Sequence, residues 1–184
     1  MSTVDYDINK ELGECYLFMG EYGKAREYYT KAVACDGAAA EPYIGLAAIA
    51  VSTGNLDDAH TLYSKANTVE PGEKPLIGLG MIEMEQGKYS EAFAHFAAAL
   101  DRNPGNLMTV NSLLQLAHVQ GRLPEAIPYL EAALETGDEA VRFALAACLR
   151  SVGRNDEAKK QLEILLGEDP SNDNAKELYA QIAA

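Results

Sequence analysis

Residues 87–99 read Gly87-x-Tyr89-x-x-Ala92-x-x-x-Phe96-x-x-Ala99. Alanine, aromatic and alanine follow one another at steps of four and three, so on a helix of about 3.6 residues per turn they share one face. The glycine in front suits a turn whose backbone enters the left-handed region. The same order precedes this segment as Gly20-x-Tyr22-x-x-Ala25-x-x-x-Tyr29-x-x-Ala32 and as Gly54-x-Leu56-x-x-Ala59-x-x-x-Tyr63-x-x-Ala66. It follows as Gly121-x-Leu123-x-x-Ala126-x-x-x-Leu130-x-x-Ala133 and, more loosely, as Gly153-x-Asn155-x-x-Ala158-x-x-x-Leu162-x-x-Leu165. Successive glycines lie 34, 33, 34 and 32 residues apart, so one structural unit is used five times.

Each unit has room for two helices. Small residues twelve apart (Gly13 and Ala25, Ala47 and Ala59, Gly80 and Ala92, Ala146 and Ala158) let two antiparallel helices approach closely. Leu12, Tyr16 and Met19 form an apolar stripe expected to face inward. Pro42 and Pro75 fall in the first turn of a helix, where the missing N–H costs nothing. Pro71, Pro104 and Pro170 stand just past second helices, with Gly37 and Asp138 at the equivalent places as helix breakers. In the fourth unit Leu114 replaces the small residue opposite Ala126, and Pro128 lies deep enough in a helix to delete a backbone hydrogen bond.

The pattern resembles the tetratricopeptide repeat family, whose unit is a 34-residue helix–turn–helix. The resemblance implies an all-α fold, a right-handed α-solenoid of antiparallel helix–turn–helix repeats. The repeats are placed at 6–39, 40–72, 73–106, 107–138 and 139–172 within a single domain, 1–184. The last twelve residues, 173–184, carry Ala175, Leu178, Tyr179 and Ile182 at helical spacing and read as a helix capping the final apolar edge.

Composition removes several function classes. With 15 Lys and Arg against 28 Asp and Glu, the net charge of −13 is a poor match for nucleic acid or an anionic membrane. The longest apolar run, 44–51, is far short of the roughly 20 residues that span a bilayer. Asp5, Asp7, Lys10 and Glu11 stand where the apolar core of a leader would lie. Cys15, Cys35 and Cys148, odd in number and widely spaced, suit reduced thiols in a cytoplasmic compartment.

No catalytic or cofactor constellation emerges. His60, His95 and His118 belong to three different units; with no cysteine to converge on, they are expected to be solvated surface histidines. The G-x-G of Gly78 and Gly80 lacks the third glycine of a dinucleotide loop. The segment 169–174 resembles the start of a calcium loop, but Ala180 stands where the bidentate glutamate belongs. No serine or cysteine has a histidine and an orienting group to activate it. The expectation is a non-enzymatic protein without metal or cofactor.

The resemblance also implies where a ligand binds. In the family, four positions of each first helix line the concave surface. Here they hold Asp7, Lys10, Glu14 and Leu17, then Glu41, Ile44, Ala48 and Val51, then Lys74, Ile77, Met81 and Met84. The fourth unit supplies Met108, Asn111, Gln115 and His118, and the fifth Ala140, Phe143, Ala147 and Arg150. The family's clamp for a C-terminal carboxylate is matched by Lys10 and Lys74 only; Glu14, Gly45 and Gly78 occupy its other places, and an acid there repels a carboxylate. What remains is an apolar middle of Ile44, Val51, Ile77, Met81, Met84 and Met108, suited to a protein or peptide ligand. The expected function is therefore a protein–protein interaction module holding an apolar or amphipathic segment, with no nucleic acid and no membrane insertion. The alternative is a self-assembling scaffold, a homo-oligomer built through its own repeats.

Overall fold

The computed structural model describes residues 3–183; the outer limits drawn at residues 1 and 184 lie outside them. Every regular element among the described residues is helical. The chain forms two compact units, 1–95 and 96–184, and the boundary falls inside a helix.

The first unit contains α1 (Thr3–Phe18), α2 (Tyr22–Cys35), α3 (Glu41–Ser52), α4 (Leu56–Val69), α5 (Glu73–Glu85) and the first turns of α6 (Tyr89–Leu100). From α1 to α5, each helix packs on the next. The turns repeat a single solution: at Gly54 the backbone reverses at φ 76°, with Gly54 N–H donating to the Val51 carbonyl and Asn55 N–H to that of Ala50. Gly20 and Gly87 both adopt φ 75°, and the same two bonds recur around Gly87. A side chain at such a φ is strained, which explains the fixed place of glycine in the repeat. The small residues of the motif sit where helices touch: Ala25, Ala32, Ala47, Ala59 and Ala66 have no exposed surface. Around them Tyr29, Leu46 and Ile49 build one core cluster, and Ala50, Ala59 and Ile82 another.

The second unit continues with α7 (Leu107–Gln120), α8 (Leu123–Ala133), α9 (Glu139–Ser151), α10 (Asn155–Glu168) and α11 (Asp173–Ala183). Pro124 occupies the first turn of α8, while Pro128 lies inside it; the chain then tightens into a 3-10 turn, Leu134–Thr136. Gly137, at φ 72°, makes the break that the sequence suggested for Asp138. Asp138 instead caps α9, its carboxylate accepting from the N–H groups of Ala140 and Val141. Leu114 is half-buried, whereas Leu113, Ala126 and Leu130 are enclosed. In α11, Ala175 and Leu178 are buried against Ala146, Leu162 and Leu165 of α9 and α10. No helix among the described residues is long and apolar enough to cross a membrane.

Candidate functional site

The first unit carries a groove along α3 and α5. On α3, Ile44, Ala48 and Val51 follow at steps of four and three and so share a face. On α5, Lys74, Met81 and Met84 occupy the corresponding face. Towards the C-terminal ends of the two helices, Val51, Met81 and Met84 come together around a pocket of about 590 Å³, with Ala48, Ile82 and Gly78 as further walls. Val51 and Met81 remain 41% and 51% exposed although their neighbour Ile82 is buried. Towards the N-terminal ends, Ile44 and Lys74 border a second pocket of about 290 Å³ with Glu41, Glu70 and Glu73. Apolar at one end and acidic at the other, the groove offers both hydrophobic burial and charge.

Tyr63 of α4 also lines the larger pocket. Its ring reaches α5 because position 78 is a glycine: a methyl group built there would lie 2.5 Å from Tyr63 Cζ. Tyr29 makes the equivalent approach between Gly13 of α1 and Gly45 of α3. Read alone, Gly45 and Gly78 were merely missing clamp residues; paired with the aromatic of the preceding second helix, they signal this intercalation. Burial pushes the Tyr63 phenol above its ordinary value. Tyr63 thus joins Ser52 and Glu85 as the polar members of a mainly apolar lining.

The remaining expected residues lie elsewhere. Lys10 is half-buried and Glu14 exposed on α1, and Ile77 is half-buried on α5 outside the lining of either pocket. In the second unit Met108, Asn111, Gln115 and His118 are exposed along α7. Phe143 is half-buried on α9, packed against the cluster that α11 covers.

Family models described as tetratricopeptide repeat match residues 10–36, 77–141 and 117–182. The chain is a tetratricopeptide repeat protein. BBSome complex member BBS4 of Bos taurus is 30% identical over 119 residues, covering 62% of this chain and 23% of that protein. The anaphase-promoting complex subunit CDC16 of Saccharomyces cerevisiae is 25% identical over 177 residues, covering 91% of this chain and 21% of that one. The repeat protein therefore spans less than a quarter of the length of either relative. Among solved structures, YrrB, a TPR protein with an unusual peptide-binding site, matches with a TM-score of 0.62 at 18% identity, covering 94% of this chain and 90% of that chain. Likeness at that identity shows the fold. Tetratricopeptide repeat proteins are generally interaction modules rather than enzymes.

One polar cluster of this repeat protein departs from the sequence reading. His60 and His95 are not simply solvated: His60 Nε2 lies 3.3 Å from Glu83 Oε1, and His95 Nδ1 lies 2.6 Å from Glu83 Oε2. Glu83 is 4% exposed, so the two imidazoles supply the polar contacts that burial denies its carboxylate. The histidines converge on an acid of the intervening helix rather than on a cysteine, which a search for zinc-type spacing misses. His118, by contrast, is exposed.

Proposed function

We propose that the protein is a binding module that holds an apolar or amphipathic segment of a partner protein in the groove of α3 and α5. The observation that carries this reading is the pocket of Val51, Met81 and Met84, whose partly exposed apolar side chains surround about 590 Å³. Covering such side chains is favourable by about 25 cal/mol per Å² of apolar surface. Methionine, unbranched and polarizable, adapts to the irregular shape of a peptide side chain. The protonated Tyr63 hydroxyl supplies a directional contact for a backbone carbonyl of the segment. The YrrB fold, with its unusual peptide-binding site, supports the reading by analogy.

The test is a peptide-display selection against the full chain, followed by fluorescence anisotropy on the selected peptides. Binding should fall at least tenfold in a variant carrying Met81→Glu and Met84→Glu, because each new carboxylate must lose water against an apolar ligand. Glu91→Lys on the exposed side of α6 should leave binding unchanged. Equal binding by the groove variant and the parent, both correctly folded, sinks the reading.

A further inference from the structure

Helix α1 has two apolar faces. One contains Gly13, Tyr16 and Leu17 and packs inside the first unit, around Tyr29, Leu46 and Ile49. The other faces outward: Val4 is 62% exposed, Ile8 52%, Phe18 95% and Met19 57%, with Cys15 exposed beside them. Met19, in the turn that follows α1, does not face inward as its spacing from Leu12 and Tyr16 implies but continues this outer face. At about 100° per residue these side chains, with Leu12, span about 120° of the helix circumference, the width with which a helix docks on a neighbour. Single exposed apolar side chains are ordinary, but a contiguous strip marks an interaction surface.

The spacing of the strip defines the shape of its partner. Val4, Ile8, Glu11, Cys15 and Phe18 follow at steps of four, three, four and three, the seam spacing of a two-helix coiled coil. The seam is apolar except at its centre, where Glu11 stands exposed. Along one edge run Asp7 and Glu14, also exposed. The sole basic residue of α1, Lys10, lies three residues after Asp7 and four before Glu14, so it borders that acidic edge and stays off the seam that holds Glu11. The lysines of α2 are engaged elsewhere: Lys24 and Lys31 pair with Glu21 and Glu27 and clasp the stacked rings of Tyr16 and Tyr28.

We propose that this strip docks an amphipathic helix of a partner protein that carries Lys or Arg opposite Glu11 and along its flank facing Asp7 and Glu14. A seam charge selects the partner that neutralises it and rejects one that repeats it. A second copy of this chain, packed seam to seam, would set Asp7, Glu11 and Glu14 against the same three acids on a protein of net charge −13. Charge thus favours a basic helix over self-pairing. This surface is separate from the groove, and either can fail without the other.

The probe is a synthetic helical peptide of three heptads with leucine along its seam, lysine at the central seam position and lysine on its flanks. A sister peptide carries glutamate at every lysine position. Titrated against the full chain by fluorescence anisotropy, the lysine peptide should bind at least tenfold more tightly than its sister. Ile8→Glu combined with Phe18→Glu should weaken it at least tenfold without moving the melting midpoint, since both side chains are exposed. Glu11→Lys should shift the preference towards the glutamate peptide. The proposal is overturned if neither peptide binds. It is equally overturned if the Met81→Glu, Met84→Glu variant loses the peptide while the strip variant keeps it. Sedimentation showing a dimer that Ile8→Glu dissociates overturns it as well, because the occupant is then a second copy.

Discussion

Tyr63 occupies the space that Gly78 leaves open: a methyl group at position 78 would stand 2.5 Å from Cζ and 2.6 Å from both Cε atoms of the ring. The tyrosine at the larger pocket and the glycine of α5 therefore depend on each other. In an ordinary helix interior, Gly→Ala stabilises by about 1 kcal/mol. At position 78 the methyl group must displace a half-buried ring, and overpacking of that kind costs about 1–3 kcal/mol. Gly78→Ala should therefore lower the urea midpoint. Gly23→Ala in α2, where nothing lies within 4 Å, should raise it or leave it unchanged. A stabilising Gly78→Ala would place the Tyr63 ring elsewhere.

The Glu83 cluster makes a second, independent prediction. Removing His95 leaves Glu83 Oε2 without its 2.6 Å contact in a site that water barely reaches. An orphaned buried acceptor costs about 1–3 kcal/mol. His95→Ala should therefore destabilise by that amount, whereas His118→Ala, at an exposed position, should stay within about 0.5 kcal/mol. In a Glu83→Ala background the His95 effect should shrink, and a double-mutant cycle measures the coupling. Equal effects of the two histidine substitutions on the parent would show that the contact contributes nothing.

These two sites also show what sequence can and cannot give. The turn at Gly54 was legible because a positive φ is a local property that a single residue reveals. The pairing of Ala47 with Ala59 was legible because repetition at fixed spacing exposes a contact inside one unit. Val51 and Met84 could be brought together because they occupy equivalent places in successive repeats, and Met81 because it precedes Met84 by three residues on the same helix face. Register names the face of a helix, however, and not what lies across from it. The register puts His60 and His95 in different units without revealing Glu83 between them, and it marks Gly78 as a clamp position without revealing the Tyr63 ring. Met19, just past α1, extends an apolar face that its own unit does not cover, so apolarity alone does not imply an inward orientation.

Helix α11 should be required for a monomeric second unit. Ala175 and Leu178 close over Leu162 and Leu165, which have no exposed surface, and Phe143 packs on the same cluster. Ending the chain before Asp173 exposes that cluster to water, and terminal repeats need a polar outer face to remain in solution. The truncated chain should melt several degrees lower and with less cooperativity. It should also self-associate in sedimentation. A monomer with an unchanged melting curve would mean that α11 covers nothing of consequence.

Tyr29 should make the first unit sensitive to alkali. Its ring is 2% exposed between Gly13 and Gly45, and its phenol is pushed up to about 12, chiefly by burial and further by the Glu14 carboxylate. In the unfolded chain a tyrosine ionises near pH 10. Below that pH both states hold the proton, and the contribution of the buried phenol is complete. Between pH 10 and 12 the unfolded phenol gives up its proton while the folded one keeps it, so stability falls as pH rises. Each tenfold difference in proton affinity is worth about 1.4 kcal/mol, which limits the loss to about 3 kcal/mol. Tyr29→Phe has no proton to release and should escape this loss, whereas lysine titration affects parent and variant alike. The measurement is the difference in urea-derived stability between parent and Tyr29→Phe at successive pH values. It should be flat below about pH 9 and then move steadily in favour of the variant. A difference that remains flat to pH 12 would mean that the hydroxyl reaches water in the folded protein, and that the tyrosine does not lie enclosed between the two glycines.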